Sequence, residues 1–169
     1  PLAVLAGIAV KVGLDIIEGA AVVHPGQANV KKIISEMGGK NAIIIDTSAD
    51  LDEPVIGVRY SAFGYQGQKC SACSRCVVVD PDGPKGEATR RFIDRLVEST
   101  KSLVIKNPMA PGSDFGPVID EKAAGTIRAY IQKGIDDGCT LELAMELPDT
   151  LAGTATERER TPSSPGSSP

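Results

Sequence analysis

Two side chains in this sequence have the type and setting to do covalent chemistry. Cys70 lies in Phe63-Gly64-Tyr65-Gln66-Gly67-Gln68-Lys69-Cys70-Ser71-Ala72-Cys73-Ser74-Arg75, after a Gly-broken helix end and before the β-branched run Cys76-Val77-Val78-Val79. A thiol at such a turn is exposed, and as a thiolate it is a strong nucleophile whose population depends on local pKa and access. Glu36 lies upstream in Ser35-Glu36-Met37-Gly38-Gly39-Lys40-Asn41. A carboxylate between a short apolar segment and a Gly-Gly turn can serve as general base toward water. Each residue also has a plainer reading. Free cysteines are commonly small buried hydrophobes, and Glu36 could be a solvated strand-end carboxylate.

The elements that must position these residues follow from periodicity. Residues 8–23 carry Val12, Ile16, Ile17, Ala20 and Ala21 at helical spacing. His24-Pro25-Gly26-Gln27 reads as a turn, and His24, the single histidine, as a loop residue without metal-ligand companions. Lys32–Glu36 and Asn41–Asp46 read as strands around the Gly38-Gly39 turn, the second apolar enough to be covered on both faces. Ser48 or Asp50 can cap the next helix, with Pro54 in its first turn and Val55, Val58, Ala62 and Phe63 on its apolar side. That helix leads to Cys70, and Val77–Val79 follows as a strand.

After the Asp80-Pro81-Asp82-Gly83-Pro84 turn comes the clearest amphipathic helix, with Ala88, Phe92, Ile93, Leu96 and Val97 on one face. A Pro/Gly loop over 106–116 precedes a further helix capped by Asp120. Its apolar stripe is Ile127, Tyr130, Ile131 and Ile135, and Gly138 ends it. Cys139–Leu143 reads as a strand. From about Met145 the composition turns to Thr, Pro, Ser and Gly, which cannot repay the entropy of ordering, so 145–169 is expected to be disordered.

Length and composition narrow the function classes. The chain has 169 residues, 41% hydrophobic and 24% charged, enough for one domain with a core. A net charge of -4 leaves no basic footprint for nucleic acid. No apolar run approaches the roughly 20 residues of a membrane span. Of the four cysteines, Cys70, Cys73 and Cys76 follow each other at three-residue spacing, and without a secretory signal they read as reduced thiols.

The Glu36-Met37-Gly38-Gly39-Lys40 and Gly67-Gln68-Lys69-Cys70 segments, in this order and separation, resemble the glutamate and nucleophile motifs of the aldehyde dehydrogenase superfamily. The longer matches, through Asn41 and through Arg75, are most similar to its 1-pyrroline-5-carboxylate dehydrogenase branch, which oxidises glutamate γ-semialdehyde to glutamate with NAD in proline breakdown. The resemblance implies Cys70 as nucleophile, Glu36 as general base, Ser71 as a substrate contact, Gly13 and Gly38 at the cofactor, NAD as that cofactor, and no metal. Lys40 and Asn41 are expected to hold the turn.

The family's cofactor turn ends in a Val-Gly pair that Val12-Gly13 matches, although Ile8 stands where the first glycine of that turn belongs. The implied fold is α/β, a partial aldehyde dehydrogenase fold. Residues 1–36 would close a Rossmann-like NAD domain, with 1–10 departing from the family, and 37–144 would begin the catalytic domain. Residues 145–169 would be an out-of-frame tail. Complete members are far longer, so the resemblance implies a fragment, inactive in isolation, whose strands have unpaired edges and low solubility. The full-length form would be a homo-oligomer acting on a small-molecule aldehyde in the cytoplasm or, alternatively, the mitochondrial matrix.

One rival reading comes from another class. Cys70-x-x-Cys73-x-x-Cys76 has the spacing of three ligands of a bacterial iron–sulfur run, with Asp80 where the fourth cysteine belongs. Zinc would need a second cysteine pair, and Cys139 stands alone.

Overall fold

A computed structural model describes residues 4–145. Its centre is a pair of parallel strands, β1 (Asn41–Ile45) and β2 (Cys73–Val78), joined by the helix α2 (Asp52–Phe63) and a 3-10 turn over Gly64–Gly67. Helix α1 (Val4–Ala21) precedes this unit, and helices α3 (Glu87–Lys101) and α4 (Glu121–Asp136) follow it. The mixture of helix and parallel strand agrees with the α/β expectation.

The core is small and sits where α2 and α3 cover one face of the strands. Ile45 from β1, Val55 and Val58 from α2, and Phe92 from α3 are buried together, with Ile43, Ala62, Val78, Ile93 and Leu96 packed around them. Alternation along β1 explains which isoleucines take part: Ile45 is buried, while Ile44 points to the other face and is 71% exposed. The strand is therefore covered on one face among the described residues, not on both as its uninterrupted apolar run suggests.

Helix ends follow their local chemistry. Asp52 and Glu53 lie in the first turn of α2, where the helix dipole favours negative charge. Neither Ser48 nor Asp50 is its N-cap. Leu51 holds that position, Asp50 accepts from the Asp52 N–H at 3.1 Å, and Ser48 donates to Asp46 at 2.7 Å. The Ser48 hydroxyl, with the backbone N–H groups of Ser48 and Thr47, holds the Asp46 carboxyl below its ordinary pKa. Asp120 does cap α4, accepting from the Ala123 N–H at 2.6 Å, and Gly138 ends the helix in the left-handed region at φ +89°.

Asp80 closes the start of α3 from outside the helix. Its carboxylate accepts from the Thr89 N–H at 2.8 Å, the Thr89 hydroxyl at 2.9 Å and the Asp82 N–H at 3.0 Å. The Thr89 N–H is the largest influence holding the Asp80 carboxyl below its usual range. The residue at the helix's own N-cap, Gly86, has no side chain, and a Cβ there would collide with the Asp80 carboxylate.

Two expected strands, Lys32–Glu36 and Cys139–Leu143, are not strands in the described residues. A β-strand exists by its hydrogen-bonded neighbour, and the sheet contains β1 and β2 alone. The apolar stripes of α1 and α4 are only partly covered: Val12 and Ile16 of α1 and Ile131 and Ile135 of α4 are exposed, while Ile127 and Tyr130 are half-buried. The expectation for 145–169 falls, beyond Met145, outside the described residues.

Candidate active site

The chain reaches Cys70 through an unusual backbone. After α2, Tyr65 and Gln66 both take left-handed conformations, φ +52° and +56°, and Gly67 follows at +68°. Left-handed φ costs a residue with a Cβ of order 1 kcal/mol or more and persists only where the surroundings enforce it. Gly67 avoids that cost, and its Cα faces the Ala62 carbonyl, which a Cβ would approach to 3.0 Å. The reversal stops the helix short and turns the chain so that Gln68-Lys69-Cys70-Ser71 leads into the start of β2. The sequence, read through Gly64 and Gly67, indicated a broken helix end, but nothing in it marked the two consecutive left-handed residues.

Three cross-links hold the strip. The Gln68 side-chain oxygen accepts from the Ile119 N–H at 3.0 Å. The Asn41 amide donates to the Cys70 carbonyl at 2.8 Å. The Cys73 N–H donates to the Ser61 hydroxyl at 3.1 Å. Lys69 lies 5.8 Å over the Tyr65 ring. Cys70 and Ser71 are exposed at the surface of this strip, and Ser71 lines an open cleft of roughly 630 Å³ with Tyr60, Ser61, Lys69, Asp114 and Phe115.

The Glu36 segment arrives from the other side. Gly39 lies so close to the Cys70 carbonyl that a Cβ would collide with it. Arg75 donates to the Lys40 carbonyl at 2.8 Å. The structure thus brings the Gly38-Gly39 segment, which is extended chain and not the expected turn, against the backbone of Cys70, with Glu36 exposed nearby in sequence. Lys40 and Asn41, expected to hold a turn, instead both tie their segment to the Cys70 segment.

Gly13 and Gly38 are placed differently. Gly38 is exposed. Gly13 is buried inside α1, which runs unbroken through it, and its bare Cα is covered by Met37, whose sulfur would lie 3.1 Å from an added Cβ. There is no turn at Val12-Gly13; the helix absorbs it.

The cysteine series does not converge. Among the described residues no three His, Cys, Asp or Glu side chains come together as metal ligands. Cys70 and Cys76 are exposed, while Cys73 is buried with its S–H donating to the Arg75 carbonyl at 3.2 Å. Partial desolvation pushes the Cys76 thiol up, and Cys73 adds to that shift. Asp80, the residue in place of a fourth cysteine, is engaged at the start of α3. These placements leave the iron–sulfur alternative without support.

A model of the aldehyde dehydrogenase family matches residues 10–156. This chain belongs to the aldehyde dehydrogenase family. As a family member it is similar to the 1-pyrroline-5-carboxylate dehydrogenases of Bacillus cytotoxicus and Geobacillus kaustophilus, at 43% and 44% identity over 127 residues, 75% of this chain and 24% of each of those proteins.

Among solved structures, proline utilization A from Bdellovibrio bacteriovorus, inactivated by N-propargylglycine, has a TM-score of 0.71 at 48% identity, over 83% of this chain and 14% of that one. Thermus 1-pyrroline-5-carboxylate dehydrogenase with bound NAD has a TM-score of 0.65 at 34% identity, over 83% of this chain and 26% of that one. The chain spans about a quarter of the length of these curated relatives. The family match continues past Met145, where the change in composition set the end of the resemblance.

Proposed function

We propose that this chain carries the nucleophile and general base of an NAD-dependent aldehyde dehydrogenase whose substrate is glutamate γ-semialdehyde and whose product is glutamate. The observation that carries this reading is the packing of Gly39 against the Cys70 carbonyl. It joins the two chemically equipped segments in a chain 43% identical to a curated 1-pyrroline-5-carboxylate dehydrogenase.

In the proposed reaction the Cys70 thiolate adds to the aldehyde carbon, forming the C–S bond and a tetrahedral oxyanion. In this mechanism a backbone N–H at the nucleophile stabilises that developing charge. NAD, when bound, supplies the acceptor for the hydride that leaves this carbon. The resulting Cys70 thioester is attacked by water as Glu36 removes a proton, and the C–S bond breaks to release the carboxylate and the thiolate. Covalent capture divides one difficult oxidation into two easier steps.

The residues present fit NAD at one of the two expected glycines. Gly38 is exposed and without a side chain, so its backbone is open to approach. The face of Gly13 is taken by Met37, which makes Gly13 a packing position for the motif that bears Glu36. Ser71, at the edge of the cleft, is the proposed substrate contact. The proposed boundary between cofactor and catalytic units lies between residues 36 and 37, and the complete enzyme is proposed to be a homo-oligomer.

The reading is tested by NADH formation from glutamate γ-semialdehyde in the complete enzyme. Cys70→Ala is expected to abolish it. Glu36→Gln is expected to retain a first-turnover burst and then stall as thioester. Full turnover by Cys70→Ala would overturn the assignment.

A further inference from the structure

We propose that Asn41 is a positioning residue for the Cys70 nucleophile, its side-chain amide fixing the Cys70–Ser71 peptide; this rests on the reading of Cys70 as the nucleophile. Three independent features of the described residues lead there. The first is the hydrogen bond itself, in which Asn41 donates to the Cys70 carbonyl at 2.8 Å across the gap between two segments 29 residues apart.

The second is an irregularity in the strand pairing. Asn41 pairs with Cys73, but Ala42 pairs with Arg75, so Ser74 is an extra residue between them. Such bulges re-aim side chains beside active sites. Here the shift falls at the residue whose amide reaches Cys70, and the Ser74 hydroxyl donates back to the Asn41 carbonyl at 3.4 Å.

The third feature is steric. Gly39, two residues before Asn41, lies under the same Cys70 carbonyl oxygen, where any Cβ would intrude. The oxygen is therefore confined from below by bare backbone and held from the side by an amide. With the peptide plane after Cys70 held, the Cys70 Cα is held too, and with it the point from which the sulfur-bearing side chain projects. Asn41 touches neither substrate nor cofactor in this account and acts through Cys70 alone.

An exposed amide–carbonyl bond adds little net stability, so the role is to be sought in chemistry rather than in melting temperature. The test compares wild type with Asn41→Ala and with Asn41→Asp, which keeps the shape but presents an acceptor to an acceptor. In the complete enzyme kcat is expected to fall about 10- to 100-fold, the scale of a small misplacement of a reacting group, with KM and melting temperature unchanged.

A second readout does not need turnover. Iodoacetamide alkylation at about pH 8, near the ordinary thiol pKa, is followed at each cysteine by peptide mass spectrometry. Cys76 and Cys139, both exposed, serve as internal controls, and buried Cys73 reports unfolding. Because Cys70 is already exposed, releasing its loop adds no access. Loss of the amide is expected to slow Cys70 several-fold while the other three keep their wild-type rates.

Unchanged Cys70 alkylation in both variants would overturn the proposal. So would a general rise in reactivity that includes Cys73, which would make Asn41 a residue of the fold. If wild type forms no NADH but Cys70 alone slows in the variants, the positioning role stands and the assigned reaction falls.

Discussion

Gly39 and Cys70 meet backbone to backbone, with the Cα of the glycine facing the cysteine carbonyl and no room between them for a methyl group. Gly39→Ala is therefore expected to push the Cys70 strip outward while leaving the core of Ile45, Val55, Val58 and Phe92 intact. A shift of about 1 Å in a reacting group can cost about 100-fold in rate. Turnover of the complete enzyme should fall on that scale, with the melting temperature close to wild type. Wild-type kcat in the variant would show that the contact does not position the nucleophile.

Phe92 is the largest side chain in a core of few residues and is 2% exposed. Phe92→Ala should destabilise the chain by about 3–5 kcal/mol, from lost transfer free energy and an unfilled cavity. In so small a core that is enough to abolish a cooperative transition, which circular dichroism on heating would read.

Asp80 links pH to stability with a definite sign. Its folded pKa lies below the ordinary 3.8, because the Thr89 and Asp82 donors favour the carboxylate. The stabilisation is thus present above the unfolded pKa and lost as pH falls through the lower folded value. Urea midpoints measured from neutral pH down through this window should fall less steeply for Asp80→Asn than for wild type. Parallel pH profiles would contradict the role given to this carboxylate.

The two-stranded sheet has open edges among the described residues, and Ile44 of β1 is 71% exposed on the uncovered face. Unpaired edges and bare apolar faces promote association. Ile44→Lys is expected to lower light scattering of the purified chain at a given concentration. A monodisperse wild-type monomer would remove the basis for this expectation.

Much of this molecule was legible in its residue types. The helix over Glu87–Lys101 follows from one apolar stripe and the caps of α4 from Asp120 and Gly138, because each depends on contacts within a few residues. The branched apolar run at β1 marks a strand, whose partner β2 lies about 30 residues on. The two motifs around Glu36 and Cys70 were equally plain, since both combine a reactive side chain with glycines that only a special backbone requires.

What sequence alone could not decide were relationships across the chain. Lys32–Glu36 has strand composition but no pairing partner among the described residues, and the stripes of α1 and α4 have helical period but remain in large part exposed. Gly13 reads as part of a turn, yet it lies within α1 beneath Met37. Asn41 reads as a turn residue, yet its amide reaches the Cys70 carbonyl, at the point where Ser74 is extra between the partners of Asn41 and Ala42. Local sequence determines what each segment can form. Which of its surfaces is used depends on what the rest of the chain brings against it, and that is a property of the tertiary structure.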